Sequence, residues 1–136
     1  MQEQKQNSKK KKEQTFYRTY SVDGIRIRAG RNNTENDKLT FTSLPNDIWV
    51  HAKDYHSSHV LIETQGKKVS DKVLLIACEI CAYYSKGRNG GKTEIVYTEK
   101  KNVKKPSRSK PGFCTYDNFK SMTVNPQKHA EFIKCD

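Results

Sequence analysis

The chain has 136 residues, of which 26 are Lys or Arg and 15 are Asp or Glu, so its formal net charge is +11. This length suits one ordinary domain, and a hydrophobic fraction of 33% predicts a modest core. No apolar run approaches the roughly 20 residues of a membrane span, and the N-terminal residues lack the apolar stretch of a signal peptide. We therefore expect a cytoplasmic protein that does not bind membranes, and the positive charge favours a polyanionic partner.

The first residues form a polar, lysine-rich segment. Four consecutive lysines run from Lys9 to Lys12, and no aromatic or β-branched residue precedes Thr15. Such a composition cannot bury enough apolar surface to fold. We predict that residues 1–14 are a disordered arm or linker and that residues 15–136 form one domain.

Strand and turn signals follow the arm. Two strands, Thr15 to Tyr20 and Gly24 to Arg28, are joined through Asp23-Gly24, which is typical of a tight hairpin turn. A polar loop is predicted from Gly30 to Lys38. Further strands are predicted at residues 39–43, 48–51, 59–63, 93–98, 113–116 and 121–125.

One principal helix is predicted at about residues 70–85. Val73, Ala77, Ile80 and Tyr84 share one face, and Ser70 is a suitable N-cap. A single helix among many short strands predicts an α+β fold with a hairpin-rich, mostly antiparallel sheet.

The four cysteines are expected to be free thiols. Cys78 and Cys81 have the spacing of redox and zinc motifs, but they lie about two turns inside the predicted helix. A redox pair belongs at a helix N-terminus, where the thiol pKa is lowered. We interpret both cysteines as core residues, as we do Trp49.

Three histidines lie within nine residues: His51, His56 and His59. No carboxylate or cysteine at a matching spacing completes a zinc site. A structural role or a nucleic-acid contact is favoured, while zinc and a catalytic histidine with Ser57 or Asp54 remain as alternatives. We predict no catalytic residue, no cofactor and no metal.

The segment from Gly87 to Thr93 resembles a phosphate-binding P-loop, but its context is wrong. Its glycines are one residue too close, and a helix precedes it while a strand follows. A P-loop needs the opposite order so that the helix N-terminus faces the phosphates. We interpret it as a helix end followed by a turn.

The basic loop, residues 100–112, is the clearest functional signal. Nine cations and only two anions lie between residues 82 and 112. Pro106 and Pro111 fix φ and extend the residues before them, which should hold the cations on a stiff loop. The opposing interpretation is a solvated face that only keeps the protein soluble.

Taken together, several segments are similar to the NFACT-R domain, the RNA-binding module of the ribosome quality-control and fibronectin-binding-protein family. These segments occur in the family's order and span about Tyr20 to Pro126. They are Gly30-Arg31-Asn32-Asn33, Asn36-Asp37, residues 47–54, Ser58-His59-Val60, residues 82–86, residues 103–106 and Lys110-Pro111-Gly112.

The resemblance implies contacts with transfer or ribosomal RNA, with the large ribosomal subunit as a possible partner. DNA binding and a protein-interaction or adhesion role are the alternatives, and no oligomeric state is predicted. Phosphates would be neutralised by cations, helped by two histidines that either donate hydrogen bonds or pair to hold the loop. The predicted nucleic-acid-binding residues are Lys104, Lys105, Arg108, Lys110, Lys86, Arg88, Lys53, His51, His59, Arg31 and Asn32.

Overall fold

The structure is a computed structural model that describes residues 17–134, so the predicted arm and Cys135 lie outside the described residues. Three short 3₁₀ turns accompany the regular elements. In chain order, the helices and strands are β1 (Arg18–Val22), β2 (Ile25–Ala29), α1 (Asn33–Thr42), β3 (Ile48–Ala52), β4 (Val60–Glu63), α2 (Asp71–Tyr83), β5 (Thr93–Glu99), β6 (Val103–Lys104), β7 (Thr115–Tyr116) and β8 (Lys120–Val124).

Six strands form one antiparallel sheet in the order β1-β2-β4-β3-β5-β8, and β6 and β7 form a separate hairpin. The predicted α+β class and hairpin-rich sheet are confirmed. The turn between β1 and β2 has positive φ at both Asp23 (51°) and Gly24 (79°), as a type I′ hairpin requires.

The predicted principal helix is present as α2, and it covers one face of the sheet. Ser70 caps it, with its Oγ accepting a hydrogen bond from the Val73 amide at 3.2 Å. Cys78 and Cys81 are fully buried within the main hydrophobic cluster, and burial raises the pKa of both thiols. They are therefore core residues rather than reactive ones.

Helix α1 corrects the sequence prediction. The prediction of a strand at residues 39–43 is wrong. A helix spans Asn33–Thr42, which includes most of the predicted polar loop and most of the predicted strand. Asn32 is the N-cap, with Oδ1 accepting from the Glu35 amide at 2.9 Å, and Arg31 pairs with Glu35. These local contacts start a helix that the hydrophobic pattern does not reveal.

Helix α1 and the β6–β7 hairpin lie on the sheet face opposite α2. Val50 and Ala52 of β3 pack in the cluster under α2, so the alternating residues Trp49 and His51 face the other way. A second cluster there contains Leu39, Trp49, Leu61, Val96 and Val103. Trp49 is 1% exposed, which confirms its assignment to the core.

Neither α1 nor α2 has the length and apolar content that crossing a bilayer requires. The same holds for every helix within residues 17–134.

Candidate nucleic-acid interface

His59 lies at the centre of the face opposite α2. Its Nδ1 is 3.2 Å from the Trp49 indole Nε1 and 2.8 Å from the Thr40 hydroxyl, and its Nε2 is 3.0 Å from the Gly112 carbonyl oxygen. Because an indole N–H can only donate, Nδ1 must be the acceptor. The proton is therefore on Nε2, which donates to Gly112. His59 thus joins α1, β3 and the basic loop.

Protonation of His59 would disrupt this arrangement, which predicts sensitivity to acid. Burial, and to a lesser degree the nearby His51, lowers the pKa of His59 to about 3. In the unfolded chain this histidine takes up the proton near pH 6.5. The contribution of neutral His59 to the free energy of unfolding is therefore fully present above that pH and declines as the pH falls toward 3. We expect a loss of about 1.4 kcal/mol from His59 between pH 7.5 and 5.5. Urea denaturation at the two pH values measures this loss together with that from His51, whose pKa burial also lowers, and an unchanged midpoint would contradict it.

His51 extends the aromatic group. Its ring stacks on Trp49 at a centroid distance of 5.4 Å, with 2° between the planes, and it meets His59 edge-on at 5.1 Å. Nδ1 lies 2.6 Å from the Ala52 carbonyl oxygen, so Nδ1 carries the proton and Nε2 is an acceptor without a hydrogen-bond partner in the described part of the chain. Burial lowers the pKa of His51 to about 4, so both histidines are neutral at pH 7.

The basic loop is anchored to α1. Lys105 Nζ donates to the carbonyl oxygens of Lys110 at 2.6 Å and Phe113 at 3.0 Å, and it lies 3.2 Å from Asp37 Oδ2. The other Asp37 oxygen accepts the Gly112 amide at 2.9 Å. Gly112 has a φ of +87°, and a Cβ there would come within 2.8 Å of the Asn33 side chain. These contacts fix the loop in addition to its prolines.

The predicted cations fall into two groups. Several already have a partner in the protein: Lys105 in the loop, Arg31 in a bidentate pair with Glu35, Lys53 with Glu94 at 3.7 Å, and Arg88 over the Tyr83 ring at 4.9 Å. The others are exposed, and their charged groups have no side-chain partner within residues 17–134. These are Lys86, Lys104, Arg108 and Lys110.

A cleft of about 400 Å³ opens between the sheet and the basic loop. Four predicted site residues line it: His51, His59, Lys53 and Lys110. Asn32 and Arg31 are not among its lining residues, and they support the start of α1 instead. Within residues 17–134, no three His, Cys, Asp or Glu side chains form a group that could hold a metal ion.

Residues 14–113 match the family described as NFACT protein RNA binding domain. The chain belongs to this family. It is 36% identical over 126 residues to the Rqc2 homolog RqcH of Bacillus subtilis and 40% identical over 117 residues to that of Streptococcus suis. These matches cover 91% and 85% of this chain, but the chain spans only about a fifth (22% and 21%) of the length of those relatives.

A solved structure has the same fold as this NFACT domain. It is the C-terminal part of the fibronectin/fibrinogen-binding protein from Streptococcus suis, with a TM-score of 0.80 and 38% identity over 87% of this chain and 49% of that one. A more distant relative is the coiled-coil domain-containing protein 25 homolog of Dictyostelium discoideum. It is 30% identical over 111 residues, which are 76% of this chain and 54% of that protein.

Two further residues of the NFACT domain position the candidate interface, and the sequence did not assign them this role. Asp37 holds the basic loop, and Asn36 accepts the His59 amide at 3.1 Å through its Oδ1. Asn36 is also why residue 30 is glycine, because a Cβ there would collide with the Asn36 side chain. The Asn36-Asp37 pair was visible in the family pattern, but no local signal in the sequence assigns it these contacts.

Proposed function

We propose that this chain is a non-catalytic module that binds transfer or ribosomal RNA in cytoplasmic, ribosome-associated quality control, with the large ribosomal subunit as its wider partner. The family indicates RNA as the class of partner. The names of the RqcH relatives suggest the pathway, but they belong to much longer proteins, so the pathway is part of the proposal.

The observation that carries the proposal is that the cations of the basic loop have two different roles. Lys105 and Asp37 neutralise each other while fixing the loop, whereas Lys104, Arg108 and Lys110 are exposed without side-chain partners in the described chain. Cations carried on a backbone that is fixed before binding lose less conformational entropy when they meet phosphates. The anchored loop therefore provides a preorganised cationic surface.

The variant Lys104→Ala/Arg108→Ala/Lys110→Ala tests this surface. If the three side chains contact phosphates, the slope of log K against log salt for tRNA binding should flatten by roughly 2 to 3 units. Fluorescence anisotropy with labelled tRNA over a range of salt concentrations measures the slope. Lys105 is left intact so that the loop keeps its anchor.

A second triple variant controls for charge alone. Lys67, Lys68 and Lys120 are exposed and lie outside the basic loop, so their replacement by alanine removes the same charge. We expect it to change the slope by well under 1 unit. Equal slopes for both triple variants would refute a defined cationic surface. If duplex DNA competed with tRNA for the protein equally tightly, DNA would replace RNA as the proposed partner.

A second candidate function is protein binding, because the solved relative is named a fibronectin/fibrinogen-binding protein. Immobilised fibronectin would test it with the same triple variants. Saturable binding that survives both the basic-loop substitutions and high salt would favour this function over RNA binding.

A further inference from the structure

The cleft beside the basic loop has a chemistry that phosphate binding alone does not explain. Its volume of about 400 Å³ lies in the range of sites for small ligands. Trp49 and the stacked His51 ring contribute to its lining on the sheet side. Lys53 and Lys110 add positive charge to the same lining.

Two further aromatic rings line the cleft on the side of the hairpin. Phe113 is 53% exposed, although its amide donates to Lys110 and its carbonyl accepts from Lys105. Tyr116 is half-buried and its ring lies 5.1 Å from that of Trp49. A large exposed aromatic ring on a backbone held at both ends is well suited to stacking.

His51 contributes a hydrogen-bond acceptor to the lining of the cleft. Its Nδ1 proton is used by the Ala52 carbonyl, so Nε2 has a lone pair and no partner within residues 17–134. A lone pair accepts a hydrogen bond from an N–H or O–H group and repels a carboxylate. The cleft therefore favours a ligand that combines a planar ring and a hydrogen-bond donor with a nearby negative charge.

We propose that this cleft binds one unstacked nucleobase of a single-stranded RNA segment. The base stacks on Phe113 and Tyr116 and donates an exocyclic N–H to His51 Nε2, while Lys110, which has no side-chain partner within residues 17–134, neutralises the adjoining phosphate. Bases splayed out onto aromatic side chains are the usual basis of single-stranded RNA recognition. This inference rests on the proposed function, since it names the part of the RNA that the interface reads.

The single tryptophan of the chain reports directly on the cleft, because Trp49 is among its lining residues. Titration with adenosine monophosphate should quench its fluorescence saturably. Ribose 5-phosphate, which has the phosphate but no base, should leave it unchanged. Equal quenching by the two ligands, or quenching by an acidic peptide but not by the nucleotide, would overturn the proposal.

A short single-stranded RNA with one 2-aminopurine tests the stacking residue. Phe113→Ala should weaken binding roughly 5- to 150-fold and abolish the 2-aminopurine quenching, without flattening the salt slope. Leu75→Ala is the control, since Leu75 is 43% exposed on α2, which packs on the opposite face. It should bind like the wild type.

The two proposals fail in different ways. A wild-type protein without salt-dependent RNA binding would overturn the proposed function. Normal affinity and normal 2-aminopurine quenching in Phe113→Ala, with the salt slope intact, would overturn the base-binding cleft and leave RNA binding in place.

Discussion

The substitution His59→Ala is expected to lower the free energy of unfolding by about 3–5 kcal/mol. The side chain is 1% exposed and joins Thr40, Trp49 and Gly112 through its two ring nitrogens. Alanine leaves a cavity and removes the partner of a buried indole N–H and of a carbonyl oxygen. Both effects have the same sign, because the cavity loses packing and the polar groups stay desolvated.

Urea denaturation at pH 7.5 measures this loss, with His56→Ala as the control. His56 is exposed and three residues away, so its replacement should change stability by less than about 0.5 kcal/mol. Amide exchange at Gly112 should also accelerate in His59→Ala, because the loop loses an anchor. A loss below about 1 kcal/mol would show that the His59 hydrogen bonds do not hold the loop.

The elements that were predicted well are those whose sequence pattern lies within the element itself. Helix α2 has an apolar face at helical spacing and a serine cap, and the β1–β2 hairpin has a turn dipeptide at its centre. Each is determined by neighbouring residues, so a pattern read within one window suffices.

Helix α1 was missed because its local start signals, the Asn32 cap and the Arg31–Glu35 pair, are not accompanied by an apolar face at helical spacing. Leu39 and Phe41 are its only strongly apolar residues, and two threonines beside them made the segment resemble a strand. The helix is held by contacts such as Asn36 with His59. No periodicity within the segment records these contacts.

In the candidate interface, too, contacts between distant residues could not be predicted from the sequence. Composition draws attention to the basic loop, but it cannot separate the cations that have a partner in the protein from those that have none. The anchor between Asp37 and Gly112 joins residues 75 positions apart. Only the fold shows that Lys105 serves the loop while Lys104 remains exposed.

The substitution Asp37→Ala separates loop order from bulk charge. It removes a charge-assisted hydrogen bond to the Gly112 amide and the ion pair with Lys105, so we expect a loss of about 2–3 kcal/mol in the free energy of unfolding. It also removes one negative charge, which by long-range attraction alone should tighten RNA binding. We expect the opposite, about 5- to 10-fold weaker tRNA binding at 0.15 M salt, because the released loop must be ordered on binding.

Glu131→Ala provides the matched control for Asp37→Ala. It makes the same change in net charge at a side chain that is 65% exposed in a different part of the chain. Anisotropy titrations with tRNA should therefore show equal or slightly tighter binding for Glu131→Ala and weaker binding for Asp37→Ala. If both variants bind more tightly, the total positive charge governs affinity and the anchored geometry of the loop does not. If only Asp37→Ala weakens binding, this carboxylate acts as a positive determinant of RNA affinity, because it fixes the cations around it.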